Sequence, residues 1–374
     1  MKKLRLITIY LGGFIGPFAG QSIAVILPNV AESFSITLEQ AALTMSAYLF
    51  PFATVMLGST RIVRRFRPRR VILTAYLFTL VGSAICILSP TWIPFLLGFM
   101  VMGVANAFTL PIFQVMLRQL MPPNELGAAL GTYAAMQSLG LFSAPLIAGV
   151  ATLVNWQLMF GIVFVGAVWV LIVQVPDVLP PSSLEESSPG RILWGPTLVH
   201  MISCLMIGFG IIGVAILTAL SVGDRFGADS VGRGLVIMSG GLAAFVLAAS
   251  LGKLADVLGP KRVLLGSIAV GSAALFLVSL VPSLWLVAAC WALAILAAQG
   301  MQTCINLVVL RSPGGVSILS SVQAFRFYGS SITPLVLLPV YLQAANWAFW
   351  IPALGLLGIL ILQTMNPIWR HTGS

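Results

Sequence analysis

Residues 252–265 read GKLADVLGPKRVLL, and residues 58–73 read GSTRIVRRFRPRRVIL. Both segments begin with glycine and end with proline, two basic residues and an aliphatic run. Each of them separates two long apolar stretches. Because this short polar connection recurs in both halves of the chain, the sequence predicts an internal repeat.

The composition predicts that the repeat lies in a membrane. Of 374 residues, 59% are hydrophobic and 7% are charged, whereas a soluble domain carries about 25% charged residues. We read the apolar run from residue 5 as a first span and not as a signal peptide. The four cysteines lie in apolar runs with no paired spacing, so we expect neither a metal site nor a disulfide, and no cofactor.

Twelve apolar runs approach the roughly 20 residues that a helical span needs. They are 5–27, 40–60, 71–89, 92–117, 127–153, 157–175, 196–220, 233–251, 263–281, 283–310, 317–342 and 346–366. The segment 176–195 is rich in Pro, Ser and Glu, which is typical of a linker. The sequence therefore predicts an all-α membrane protein with twelve transmembrane helices in two pseudo-symmetric six-helix bundles. The predicted domains are an N-terminal bundle (1–175), a cytoplasmic linker (176–195) and a C-terminal bundle (196–374).

The basic residues predict the orientation. With a cytoplasmic N-terminus, sixteen of the 19 lysines and arginines face the cytoplasm, Arg225 and Arg233 face outward, and Arg326 lies within a span. The positive-inside rule then predicts a multi-pass protein of the cell (cytoplasmic) membrane with both termini in the cytoplasm. The anionic inner leaflet of the lipid bilayer accounts for the net charge of +10, so we expect no nucleic-acid partner.

Three further parallels align the two halves. LGLFSAPLIAG (139–149) corresponds to YGSSITPLVLL (328–338), and NWQLMF (155–160) corresponds to NWAFW (346–350). Arg118 ends the fourth span as Arg311 ends the tenth. Each pair occupies the same place in its half.

These motifs resemble the major facilitator superfamily over essentially the whole chain, and within it the 12-span drug-efflux (drug:proton antiporter-like) branch. The resemblance implies a conformational latch at Gly252, Asp256, Gly259, Lys261 and Arg262, and a span 5 export motif at Gly140, Ala144, Pro145 and Gly149. Two positions depart from the family pattern. Ile62 stands where the first-half loop usually carries an acid, and Phe99 stands where the fourth span usually carries an arginine.

The polar residues inside the spans predict a substrate site. All nine acidic residues fall in loops or at span ends, so no deep carboxylate is available to neutralise Arg326, although a charge in a bilayer is costly. Aligning the halves places Gln137 at the position equivalent to Arg326, and Gln299 at the position equivalent to Asn106. We expect these pairs to converge near the membrane midplane. The candidate substrate-binding residues are Arg326, Gln137, Asn106, Gln299, Gln21, Tyr133, Gln302 and Asn306, and His200 is the candidate proton site.

The resemblance and these polar residues imply a secondary active transporter that moves small organic molecules by alternating access. We expect a monomeric exporter with an anionic or zwitterionic small-molecule substrate and a proton as candidate coupling ion. An organic-anion uptake carrier or uniporter is an open alternative, and so is a non-transporting receptor or scaffold. We do not expect an enzyme, because the sequence contains no cluster of acid, base and nucleophile, no metal-ligand spacing and no Gly-rich phosphate loop.

Overall fold

A computed structural model describes residues 2–63, 66–178, 194–312 and 315–366. These residues are almost entirely helical and include no β-strand. The helices are α1 (Lys2–Gln21), α2 (Ile23–Phe34), α3 (Leu38–Val63), α4 (Pro68–Leu88), α5 (Trp92–Leu120), α6 (Pro123–Ala151), α7 (Met159–Val173), α8 (Trp194–Ile207), α9 (Ala215–Phe226), α10 (Ser230–Leu258), α11 (Pro260–Leu280), α12 (Leu284–Arg311), α13 (Gly315–Gln343) and α14 (Trp347–Met365). A 3-10 turn, Trp156–Leu158, precedes α7, and a π-turn, Gly208–Ile212, joins α8 to α9.

The described helices agree with the predicted all-α membrane fold. Ten segments are long and apolar enough to cross a membrane, and α1 with α2 would form an eleventh that is bent by 51°. The helix α13 has the length for a twelfth span and carries Arg326 among several Ser and Thr residues. Several helices extend past the predicted apolar runs, since helix ends can continue into the polar interface.

The chain divides into an N-terminal unit within residues 1–187 and a C-terminal unit within 188–374. In the N-terminal unit, α1 packs on α6, and α5 packs on both α3 and α4. In the C-terminal unit, α8 and the π-turn pack on α13, and α12 packs on both α10 and α11. The two units therefore repeat one packing pattern, which confirms the predicted pseudo-symmetric bundles.

Glycine allows a close helix contact at equivalent places in the two units. A Cβ atom on Gly140 of α6 would lie 2.5 Å from the carbonyl oxygen of Phe14 in α1. A Cβ atom on Gly329 of α13 would overlap the carbonyl oxygen of Leu205 in α8. Only a residue without a side chain lets two backbones approach so closely. The two glycines are the pair that the sequence alignment equates.

The first span of each unit is interrupted at the same depth. Phe14 and Leu205 are equivalent because their carbonyls face the equivalent glycines, Gly140 and Gly329. This alignment places Pro17, which precedes the bend between α1 and α2, at the position of Gly208 in the π-turn. Ser330 and Thr333 of α13 donate to the carbonyls of Gly208 and Phe209 at 3.2 and 2.9 Å. Neighbouring hydroxyl groups thus satisfy backbone carbonyls at the irregular turn, as is required in a membrane interior.

Candidate functional site

Arg326 lies near the middle of α13 in the C-terminal unit. The residue is partly exposed, but its Nε is buried and has no hydrogen-bond partner among the described residues. Its guanidinium carbon lies 4.8 Å from the ring centroid of Phe327. The one ion pair among the described side chains joins Arg67 and Asp177 instead. The described part of the chain therefore offers no carboxylate to neutralise Arg326.

Gln302 of α12 contacts Cys204 of α8, and α8 packs on α13, the helix that carries Arg326. The Gln302 side chain is 6% exposed, and its Nε2 donates to Asn306 Oδ1 at 2.8 Å and to Cys204 Sγ at 3.8 Å. The carbonyl oxygen of Arg326 packs against Gly208, one turn after Cys204 of α8. The structure thus brings Gln302 and Asn306 into contact, on a helix that packs against the helix of Arg326. Sequence reasoning missed Cys204, because a cysteine in an apolar run carries no distinguishing signal.

Three other predicted amides, Gln21, Gln137 and Gln299, are partly exposed. Gln21 ends α1 at the bend, Gln137 lies in α6, and Gln299 lies three residues before Gln302 in α12. Partly exposed amides in the middle of spans can offer hydrogen bonds to a solute. The three residues belong to different helices, and Gln21 and Gln137 belong to the N-terminal unit.

Asn106 is enclosed within the N-terminal unit. Its Nδ2 donates to the hydroxyl of Tyr48 at 2.8 Å, and that hydroxyl donates to the carbonyl of Gly16 at 3.2 Å. Its Oδ1 is buried without a hydrogen-bond partner in the described part of the chain. The amide therefore joins α5 to α3 and α1.

Tyr133 is also buried within the N-terminal unit. Its hydroxyl donates to the carbonyl of Leu110 at 3.3 Å, and its ring covers Gly13 of α1. The ring of Phe113 covers Gly12 in the same way, and Tyr76 donates to the Gly12 carbonyl at 3.4 Å. Aromatic side chains thus pack against the glycine face of α1, so the Tyr133 hydroxyl is already engaged within its own unit.

His200 is fully buried in α8. Nε2 of Gln363, in α14, lies 3.2 Å from His200 Nδ1 and donates to Ser203 Oγ at 2.7 Å. If both amide hydrogens are used in this way, Nδ1 accepts and the imidazole carries its hydrogen on Nε2. This neutral tautomer fits a buried position, because a charged imidazolium would need compensation there.

The predicted latch falls at the connection between α10 and α11. Gly259 has a φ of +85°, a conformation that favours glycine and allows a one-residue turn. Lys261 and Arg262 lie in the first turn of α11, and Gly252 lies in α10. The side chain of Asp256 is outside the described part of the structure, so the latch stays a prediction.

The corresponding loop of the N-terminal unit makes contacts that the sequence did not suggest. Arg67 Nη1 lies 3.4 Å from Asp177 Oδ2, and Arg69 Nη2 donates to Gln174 Oε1. Both partners follow α7. Arg67 and Arg69 therefore contact the segment that follows α7, whereas the side chain of Ile62 lies outside the described set.

The span 5 motif has a packing role in this structure. Ala144, Pro145 and Gly149 are buried in α6, one to two turns after Gly140. Small residues at this spacing allow α6 to lie close to α1. The motif thus shapes the N-terminal unit, and its connection with export remains a prediction.

A family model described as "Major Facilitator Superfamily" matches residues 9–334. The chain is 20% identical over 192 residues to the uncharacterized MFS-type transporter YhcA of Bacillus subtilis. It is 23% identical over 149 residues to the riboflavin transporter RibZ of Clostridioides difficile, and 23% identical over 158 residues to the lincomycin resistance protein LmrB of Bacillus subtilis.

These matches cover 50%, 40% and 42% of this chain, and 36%, 33% and 33% of the respective relatives. The chain thus spans about a third of the length of the curated relatives it matches. The crystal structure of the human organic anion transporter MFSD10 (TETRAN) superposes with a TM-score of 0.73, covering 97% of this chain and 99% of that one at 14% identity. At this identity the likeness shows the fold alone. The family match and the shared fold agree that the chain belongs to the major facilitator superfamily, whose members transport small solutes across membranes and are not enzymes.

Proposed function

We propose that this transporter exports small organic anions or zwitterions by alternating access, and that Arg326 binds their negative group. The observation that carries the proposal is the buried, unpartnered Nε of Arg326 in the middle of a span. A guanidinium offers a planar set of donors that matches a carboxylate, and low local dielectric strengthens the attraction.

A purely structural role explains Arg326 less well. Structural charges within membranes usually pair with another charge or with backbone carbonyls. In the described part of the chain, neither kind of partner accepts from Nε, and the contact with the Phe327 ring supplies only a weak substitute. A substrate anion would supply the missing counter-charge.

The partly exposed amides extend the proposed site. Gln137, Gln299 and Gln21 are free to offer both donors and acceptors to a bound solute, whereas Asn106 and Tyr133 would first have to exchange bonds within the N-terminal unit. We therefore propose Gln299 with Arg326, Gln302 and Asn306 as substrate-binding residues of the C-terminal unit, and Gln21 and Gln137 as substrate-binding residues of the N-terminal unit. Asn106 and Tyr133 belong to the proposed site only in a conformation that breaks their present bonds.

Export, orientation and assembly belong to the same proposal. The relative LmrB is a resistance protein, and the span 5 motif resembles that of exporters, which together support outward transport. The distribution of the basic residues supports a cytoplasmic-membrane protein with both termini inside. We propose a monomer, because each half of the chain supplies one of the two repeated bundles.

A proton is the candidate coupling ion. Every carboxylate in the described helices lies at or next to a helix end, as Glu39 and Asp224 illustrate. His200 is the histidine that lies within a described span, so we propose it as the proton carrier of an antiport cycle. Collapsing the pH gradient with a protonophore should then slow export. Export at an unchanged rate would favour the uncoupled carrier instead.

The test uses the dianion fluorescein and the cation ethidium as dyes in cells that express the protein. Arg326→Gln should lower fluorescein export at least about tenfold, a loss of about 1.4 kcal/mol of binding. Arg326→Lys should retain part of it, because the charge remains. Arg118→Gln is the matched control, since it removes an exposed charge from the cytoplasmic end of α5. Fluorescein export by Arg326→Gln at the wild-type rate, with equal protein in the membrane, would contradict the proposal.

A further inference from the structure

We propose that Gln302 recognises a hydrogen-bond donor on the substrate, so that this transporter prefers zwitterionic organic molecules to plain anions. The inference rests on the proposed function, because it takes Arg326 as the site of the negative group. It adds a second recognition point in the C-terminal unit, formed by an amide oxygen whose direction the structure defines.

The orientation of the Gln302 amide follows from its two neighbours. Nε2 donates to Asn306 Oδ1 at 2.8 Å and points its second hydrogen toward Cys204 Sγ at 3.8 Å. A flipped amide would place its oxygen against the Asn306 oxygen, or would require Asn306 to flip as well. The present arrangement uses both N–H groups, so Oε1 is directed elsewhere as an acceptor.

That acceptor is unsatisfied. Oε1 of Gln302 is buried and has no hydrogen-bond partner among the described residues. A buried carbonyl without a partner is costly, and the great majority of such groups in folded proteins are bonded. Gln302 is 6% exposed, so bulk solvent does not supply the missing hydrogen bond to Oε1.

An unsatisfied donor lies on α13, which packs on both α8 and α12. Arg326 Nε is buried without a partner among the described residues, and the Arg326 carbonyl packs against Gly208, one turn after Cys204 of α8. The two atoms have opposite hydrogen-bonding character but do not bond to each other. A solute with a carboxylate and a nearby ammonium group would satisfy both atoms at once. A plain anion would satisfy only the arginine.

The N-terminal unit has no counterpart of this arrangement. Aligning Arg118 with Arg311 places Thr109 at the position of Gln302, and the Thr109 hydroxyl donates to the carbonyl of Asn106 in its own helix at 3.0 Å. The same alignment places Phe113 at the position of Asn306. The paired acceptor and donor therefore belong to the C-terminal unit alone, which indicates a specialised role.

Two dyes of nearly equal size test the inference by fluorescence polarisation with the purified full-length protein in nanodiscs. They are fluorescein and 5-(aminomethyl)fluorescein, which adds an ammonium group. The wild type should bind the aminomethyl dye about tenfold more tightly. Gln302→Met keeps the length of the side chain but removes the amide, so it should abolish this preference.

Two further variants make the test independent of simple misfolding. Gln302→Glu adds a negative charge to the proposed anion site and should weaken the binding of both dyes. Thr303→Val, the next residue in α12, removes a hydroxyl that bonds only to the carbonyl of Gln299 and should change neither affinity. The dye affinities of a variant are compared with those of the wild type only when both proteins are equally monodisperse and have the same melting temperature.

The outcomes separate this inference from the proposed function. Equal affinities of the wild type for the two dyes, with fluorescein binding still lost in Arg326→Gln, would overturn the role of Gln302 but leave the anion site. A preference that persists in Gln302→Met would also overturn it. Fluorescein affinity that is unchanged in Arg326→Gln would overturn the proposed function itself, and binding of neither dye to the wild type would overturn both.

Discussion

The two units of the chain meet the same backbone requirement with different side chains. At the C-terminal end of α4, Gln157 Nε2 donates to the carbonyls of Cys86 and Ser89 at 3.2 and 3.1 Å. At the C-terminal end of α11, Arg225 donates to the carbonyls of Val278, at 2.9 Å, and of Val281. The carbonyls at a helix end need donors wherever the helix lies. Both units therefore supply a side-chain donor to the carbonyls at the equivalent helix end. The donor precedes α7 in the N-terminal unit and lies in α9 in the C-terminal unit.

The interiors of the units differ in a way that bears on function. In the N-terminal unit, Tyr48, Tyr76 and Tyr133 donate to backbone carbonyls, and the buried side-chain atoms without a partner in the described residues are two oxygens, Thr44 Oγ1 and Asn106 Oδ1. In the C-terminal unit, Gln302 and Arg326 keep unsatisfied buried atoms. Among the described residues, the C-terminal unit is therefore the one that leaves a charged side-chain donor buried without a partner, and we propose that a ligand anion binds there.

The largest effect is expected at the glycines that both units share. Gly329→Ala and Gly140→Ala each introduce a Cβ atom against a backbone carbonyl, which cannot move away as a side chain can. Each should destabilise the protein by about 3 kcal/mol or more, at the upper end of overpacking effects. Gly358→Ala in α14, where a Cβ atom would meet open space, is the control. Melting temperatures in detergent check this, and a wild-type value for Gly329→Ala would refute the close crossing of α8 and α13.

A smaller effect is expected at the two helix ends. Arg225→Met should cost about 1.5 kcal/mol, because a charged donor and a favourable charge near a helix C-terminus are lost. Gln157→Met should cost about 1 kcal/mol, as for a neutral hydrogen bond. Added salt should reduce the first loss and leave the second, since screening acts on the exposed charge. If salt changed the loss of stability equally in both variants, the distinction between a charged donor at Arg225 and a neutral donor at Gln157 would be contradicted.

The internal bonding of the N-terminal unit predicts coupling between Tyr48 and Asn106. Tyr48→Phe and Asn106→Leu should each cost about 1 kcal/mol, and the double variant should cost less than their sum, because both remove the same 2.8 Å bond. A double-mutant cycle of unfolding free energies measures this. Strict additivity would mean that the hydrogen bond between them contributes nothing to stability.

The smallest effect is expected at the ion pair of the first-half loop. Arg67 and Asp177 are 60% and 46% exposed, and an exposed pair contributes less than about 1 kcal/mol. Arg67→Ala and Asp177→Ala should each lower stability within that range, and high salt should remove the difference from the wild type. A loss that persists in high salt would show that this contact is more than a surface pair.

The sequence predicted most of the fold because its signals are physical requirements of a bilayer. Twelve apolar runs, a polar linker and the distribution of arginines follow from the thickness and the charge of the membrane. The break in the first span had a signal in Pro17. The π-turn of the seventh span had none as clear, because GFGII reads as an ordinary apolar stretch and the turn depends on hydroxyl groups of α13.

The candidate site was predictable only in part. The absence of a deep carboxylate singled out Arg326, the alignment of the halves singled out Gln299, and their polar character within an apolar span singled out Gln302 and Asn306. The bond between Gln302 and Asn306 and the position of Cys204 depend on contacts between helices that no short sequence pattern encodes. For the same reason the sequence did not indicate that Asn106 bonds to Tyr48, 58 residues earlier in the chain.

The most direct test of the anion site is counterflow of fluorescein in proteoliposomes that contain purified protein. Wild-type protein should accelerate exchange of the dye across the bilayer, and Arg326→Lys should retain part of that rate. Arg326→Gln should reduce exchange to the level of empty liposomes, although the protein is folded and inserted. Equal exchange by the wild type and Arg326→Gln would contradict the central claim that this charge binds the substrate.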